Sequence, residues 1–126
     1  MIKEFVEIWE NNKSSLESEY KSTQPDSYDS IVTDIVKMIN NNLGDHRKPD
    51  PERITIIDHG DYQGTRLYII GGNGYQPSTY WSVFVDYGSC SGCDTFESIS
   101  YGDSKVKDYM ALALNILQSL NIIGDN

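Results

Sequence analysis

At 126 residues, with 38% apolar and 11% aromatic side chains, the chain has the material for one globular domain with its own core and lacks the composition of a disordered segment. A formal charge of −9 with only ten Lys and Arg excludes a general binder of nucleic-acid backbones, which works by neutralising phosphates. Two cysteines, and no apolar run near the roughly 20 residues a membrane span needs, exclude a disulfide-stapled scaffold and a membrane-spanning chain.

Ile2, Phe5, Val6 and Trp9 fall at helical spacing and continue through a more polar stretch to Leu16 and Tyr20. The same stretch carries Lys3, Glu4, Glu7 and Glu10 where a signal peptide would be continuously apolar. A cytoplasmic setting is therefore expected, where thiols stay reduced. Pro25, in STQPDS, breaks this first helix. Tyr28, Ile31, Val32, Ile35, Val36 and Ile39 then predict a second helix, capped by Asp26 or Ser27 and ended by Gly44. HRKPDPE, with two prolines in three residues, reads as an extended linker.

In the middle of the chain the period shortens to two. RITIIDH and TRLYII, joined by GDYQG, predict a β-hairpin, and TYWSVFVDYG predicts a third strand after the glycine-rich loop GGNGYQPS. DTFESI suits a short helix with Asp94 at its N-cap and Glu97 completing a capping box. The last helix is expected to run through NILQSLNII, capped by Asp103 or Ser104. Its buried face would be Val106, Tyr109, Met110, Ala113, Ile116, Leu117 and Leu120. Elements segregated in this way predict a single α+β domain over 1–126: helices at about 2–43, a three-stranded antiparallel meander at about 52–88, and helices at about 94–122. The meander would pack against the N-terminal and C-terminal helices.

Cys90 and Cys93, in VDYGSCSGCDTFESI, admit four readings. A strand leading into C-x-x-C and a helix is the local pattern of thiol oxidoreductases, but only helices are expected afterwards and all four prolines lie upstream of Cys90. Two thiolates are half of a zinc site; His59, with Asp58 or Asp61, would emerge at the same end of a meander, yet there is no second C-x-x-C. Backbone N–H groups of GSCSGC could cradle an anion, against the charge of Asp94 and without a neighbouring Lys or Arg. Small residues also suit a plain reversal from strand to helix, with the cysteines packing as small apolar groups. The turn is the reading adopted, and no cofactor is assigned. Neither G-x-S-x-G, a Walker loop nor H-E-x-x-H occurs, so an enzyme is not expected.

The binding candidates lie elsewhere. GGNGYQPSTYW is long for a hairpin loop and carries Tyr75, Tyr80 and Trp81, which suit a contact with a protein or stacking on a base, unless Tyr75 and Trp81 fold back as core. Arg53 and Arg66, on the predicted hairpin, are the candidates for an anionic ligand.

YQGT, LYII, YQPS, YGSCSGCDTFESI and VKDYMALALNILQSL, in that order, resemble a set of small uncharacterised proteins encoded in bacteriophage genomes. The resemblance spans about residues 62–120, with Tyr87–Asp94 as its distinctive core, and leaves out the N-terminal helices. It implies a phage setting and carries over no catalytic residues. The expected function is accordingly a non-enzymatic accessory protein countering host defence, either by occupying a host protein or by sequestering a nucleotide-type signal. A zinc- or thiol-dependent protein using Cys90 and Cys93 is the alternative. No oligomeric state follows from these residues.

Overall fold

The computed structural model describes residues 2–44, 47–60, 64–73, 79–88, 94–100 and 105–125. The strongest helical period becomes the centre of the fold. In α2 (Tyr28–Asn42) the six predicted apolar positions are all buried, joined by Met38. Ser27 is the N-cap: its extended backbone lets the hydroxyl accept from the Ser30 N–H at 3.2 Å. The helix stops at Leu43, whose ordinary φ of −85° means that Gly44 is not needed as a left-handed cap.

α1 (Ile2–Ser22) buries Phe5, Ile8, Trp9, Leu16 and Tyr20, while Val6, expected inside, is 55% exposed. α4 (Lys105–Ser119) packs antiparallel to α1. Tyr20 at the end of α1 meets Tyr109 near the start of α4 edge-on, with ring centroids 6.3 Å apart. Between Gly88 and α4, the short α3 (Thr95–Ser100) is capped by Asp94 as expected, whose Oδ1 accepts from the Glu97 N–H at 3.0 Å.

The sheet departs from expectation in strand number. β1 (Pro49–Gly60), β2 (Gly64–Gly72) and β3 (Thr79–Tyr87) form the antiparallel meander, and a fourth strand, β4 (Asn121–Asp125), adds antiparallel to β3 in the order β1-β2-β3-β4. The three-stranded meander and the helix running to about 122 are both corrected by this strand. Without β4, β3 would present a row of unpaired backbone groups. Asn121 and Ile122 instead pair with Ser82 and Trp81, so the final apolar residues leave the helix for the sheet. β1 also begins earlier than predicted, taking in Pro49 and Pro51. An edge strand tolerates both, because the absent N–H groups can face solvent, and the register shifts between Pro49 and Ile54.

All the helices that pack on the sheet lie against one face. Cross-strand partners share a face, which aligns Ile54, Ile70 and Trp81 in one row and Tyr68 and Val83 in the next, all turned to the helical core. Phe5 stacks on Trp81 with ring centroids 5.8 Å apart, and Tyr28, Phe96 and Tyr109 form an aromatic chain from α2 through α3 to α4. Among the described residues no helix is long and apolar enough to cross a membrane.

Candidate functional site

A strand with one buried face alternates apolar and polar side chains. β3 does not. Trp81 and Val83 fill the inner phase, while Tyr80 and Phe84 occupy the outer one and stand 40% and 64% exposed. The neighbouring strands repeat the pattern. Ile57, Leu67 and Phe84 are directly opposite one another across β1, β2 and β3, so they form a continuous row on the face that carries no helix among the described residues. Ile57 is 48% exposed and Leu67 is half-buried by its neighbours. The adjoining row, Thr55, Ile69 and Ser82, adds a third aliphatic side chain, that of Ile69. Tyr80 lies opposite Gly71, which has no side chain to screen its ring. An uncovered apolar row that includes Phe84, with Tyr80 on the same face two rows away, is the kind of surface that marks a protein contact.

At the end of the sheet, on the helical side, lies a polar cleft of about 580 Å³. Arg66 is its centre. The guanidinium holds Asp29 of α2 in a two-pronged pairing, Nε to Oδ1 at 3.1 Å and Nη2 to Oδ2 at 2.9 Å, and reaches Asp58 with Nη1 at 2.6 Å. The Tyr68 hydroxyl also donates to Asp29, and the Tyr87 hydroxyl donates to Asp58. These partners tune one another. The Tyr87 hydrogen bond, and then Arg66, hold the Asp58 carboxyl below its ordinary range. The guanidinium is held charged by its contact with the Tyr68 hydroxyl and by Asp29. Asp26, Asp29, Asp58, Asp94 and Glu97 all line the cleft, against Arg66 as the only base among the described residues. An anionic ligand would have to displace two carboxylates from that guanidinium and enter a field of the wrong sign. The cleft instead clamps the β1–β2 hairpin onto α2.

Asp94 performs a second structural task. Its buried carboxylate accepts from the Tyr28 hydroxyl at 2.8 Å, from the Glu97 N–H, and through Oδ2 from the Gly88 N–H at 2.8 Å. Tyr28 in turn accepts from the Phe96 N–H at 2.9 Å, and burial in this network pushes its hydroxyl up to about 12. One carboxylate thus ties the end of β3 to the start of α3, across the segment that contains the cysteine pair.

The predicted binding residues are not brought together. Tyr80 lies on the open face, whereas Trp81 is 1% exposed in the core, with its indole N–H donating to the Arg47 carbonyl at 2.8 Å. Arg53 pairs with Asp50 at 3.1 Å near the start of β1, and Arg66 is engaged in the cleft as above. Tyr75 lies outside the described residues, as do Cys90, Cys93 and Asp61. His59 is exposed opposite Thr65, on the outer face, while Asp58 beside it faces Arg66 on the inner one. Among the described residues no three His, Cys, Asp or Glu side chains are grouped to hold a metal ion.

No family model, curated protein or solved structure matches the chain. The reading therefore rests on its own surfaces. Ile57, Leu67 and Phe84 were missed from sequence, although the signal was present: TYWSVFV is apolar in both phases of a strand, which is the pattern of a strand covered on both sides.

Proposed function

We propose that this chain is a non-enzymatic binding protein that acts by occupying a protein partner, with the helix-free face of the sheet as its contact surface. The observation that carries the reading is the Ile57–Leu67–Phe84 row, uncovered among the described residues, with Tyr80 on the same face. The resemblance of residues 62–120 to phage-encoded proteins points to a host protein, such as a defence component, as that partner. Sequestration of a nucleotide signal has less support, because both candidate arginines already pair with carboxylates. A flat sheet face also offers stacking without a pocket to enclose a small ligand.

A photoreactive phenylalanine analogue placed at position 84, with a second at Glu19 on the helical side as control, tests this in the host cell. One protein is expected to cross-link from position 84 and not from 19. Phe84→Ala should then weaken that partner's affinity by about 2 kcal/mol, roughly thirtyfold, since aromatic anchors in contact surfaces lose about this much on truncation. Its melting temperature should hold, because the side chain is 64% exposed. Equal cross-linking from both positions, or undiminished affinity in Phe84→Ala, rejects the reading.

A further inference from the structure

β1 ends the sheet, and among the described residues nothing pairs with its outer edge. An edge strand presents a row of backbone N–H and C=O groups, which proteins ordinarily guard with proline, lysine or a bulge. Here the guards stand at one end. Pro49, Pro51 and the register shift all precede Ile54, whereas Ile54–Gly60 pairs with β2 without interruption. That bare half opens with Ile-Thr-Ile-Ile, four β-branched residues in succession and none of them charged. Both of its phases reach solvent. Ile57 is exposed on the open face, and Ile56 is 40% exposed on the helical face, although Tyr68 and Val83 in its own row are buried. The flanking charges are engaged within the chain, Arg53 with Asp50 and Asp58 with Arg66.

We propose that β1 pairs antiparallel with β1 of a second copy, joining two four-stranded sheets into one of eight strands. Three features select a copy of this chain as the occupant. A two-fold axis perpendicular to the sheet keeps the faces in phase, so helical-face residues meet helical-face residues and open-face residues meet open-face ones. An axis at Ile56 brings its two copies together and covers the side chain that the edge leaves exposed. The strand that complements Ile-Thr-Ile-Ile must itself be apolar in both phases, and the engaged Arg53 and Asp58 offer little to recruit a charged segment. Pairing of like edges also closes at two copies. The opposite edge does not invite continuation, because β4 is short, shifts register against β3 and ends in Gly124 and Asp125. This pairing leaves Leu67, Phe84 and Tyr80 uncovered, so it stands apart from the protein-binding reading of the open face.

Sedimentation equilibrium of the full chain is expected to show a particle of twice 14.3 kDa, with a dissociation constant of about 1–100 μM, as suits a contact at the small end of the interface range. Ile56→Lys places two ammonium groups at the seam and should weaken the dimer by about tenfold or more. Phe84→Ala on the open face and Ile123→Lys on β4 should leave it intact. If Ile56→Lys does not fold, hydrogen exchange of the unaltered chain takes its place. The backbone N–H groups of Ile54–Asp58 that point away from β2 should be protected in concentrated protein and lose protection on dilution. A chain still monomeric at about 1 mM overturns the proposal. So does a dimer that withstands Ile56→Lys, one lost in Phe84→Ala or Ile123→Lys, or edge exchange that is indifferent to concentration.

Discussion

Asp34 and Asp58 carry the same side chain in opposite surroundings. Burial between α1 and α2 pushes the Asp34 carboxyl above its ordinary value of 3.8, against the opposing hydrogen bond that it accepts from the Tyr20 hydroxyl at 3.0 Å. Asp58 is displaced downward by Tyr87 and Arg66. The signs on stability follow from linkage. The raised group favours folding below its unfolded value near 3.8, and that contribution is lost as pH rises through the folded value, so at pH 7 ionised Asp34 is a cost. The lowered group contributes above 3.8 and loses that contribution as pH falls through its folded value. Asp34→Asn is therefore expected to raise the melting temperature at pH 7, with the gain fading toward pH 4. Asp58→Asn should lower it at pH 7, with the loss fading below the ordinary carboxylate range. Melting curves of both variants from pH 3 to 7 decide the matter, and shifts of the same sign would contradict this account.

The hairpin between β1 and β2 shows how an element depends on the backbone of single residues. Gly60 has φ 149°, a conformation that side-chain-bearing residues rarely adopt. Opposite it, a Cβ on Gly64 would lie 2.2 Å from the His59 carbonyl oxygen and 2.8 Å from the Gly60 Cα. Both neighbours are backbone, which cannot step aside as a flexible side chain would. Gly64→Ala is expected to cost roughly 1–3 kcal/mol, within the range for overpacking. The loss should appear as a lower denaturant midpoint and as faster hydrogen exchange at Thr65–Leu67. Gly44→Ala is the matched control, because nothing lies within 4 Å of the added methyl group. It should leave the midpoint where it is. Equal losses in the two variants would show that the cost is loss of glycine itself and not this close approach.

At the scale of the molecule, the two ends of the cysteine segment are held by protein groups. The Asp94 carboxylate joins Gly88 to the first turn of α3, and Tyr28 and Phe96 continue the connection into the core. A structural metal site usually supplies such closure itself, and its removal then unfolds the domain. Chelation is accordingly expected to leave the melting temperature unchanged. Loss of stoichiometric zinc together with a lower melting temperature would instead make ligands of Cys90 and Cys93, with His59 as a candidate third.

Local pattern by itself was enough to determine the helices, the meander and most of the core. The 3.6-residue period in Tyr28–Ile39 and in Tyr109–Leu117, and the caps at Ser27 and Asp94, are properties of adjacent residues and need no partner to be recognised. Tertiary structure decided the rest. Asn121–Asp125 continues an apolar helical run in sequence and becomes a strand only because β3 has a free edge beside it. Arg66 is an available cation in sequence and an engaged one in the fold, because α2 and β1 bring Asp29 and Asp58 to it from 37 and 8 residues away. Trp81 and Tyr80 are equivalent aromatic neighbours in sequence; only the side on which the helices pack sends one into the core and leaves the other on the open face. Pairing, burial and charge neutralisation each depend on residues distant in the chain, and no local period records them.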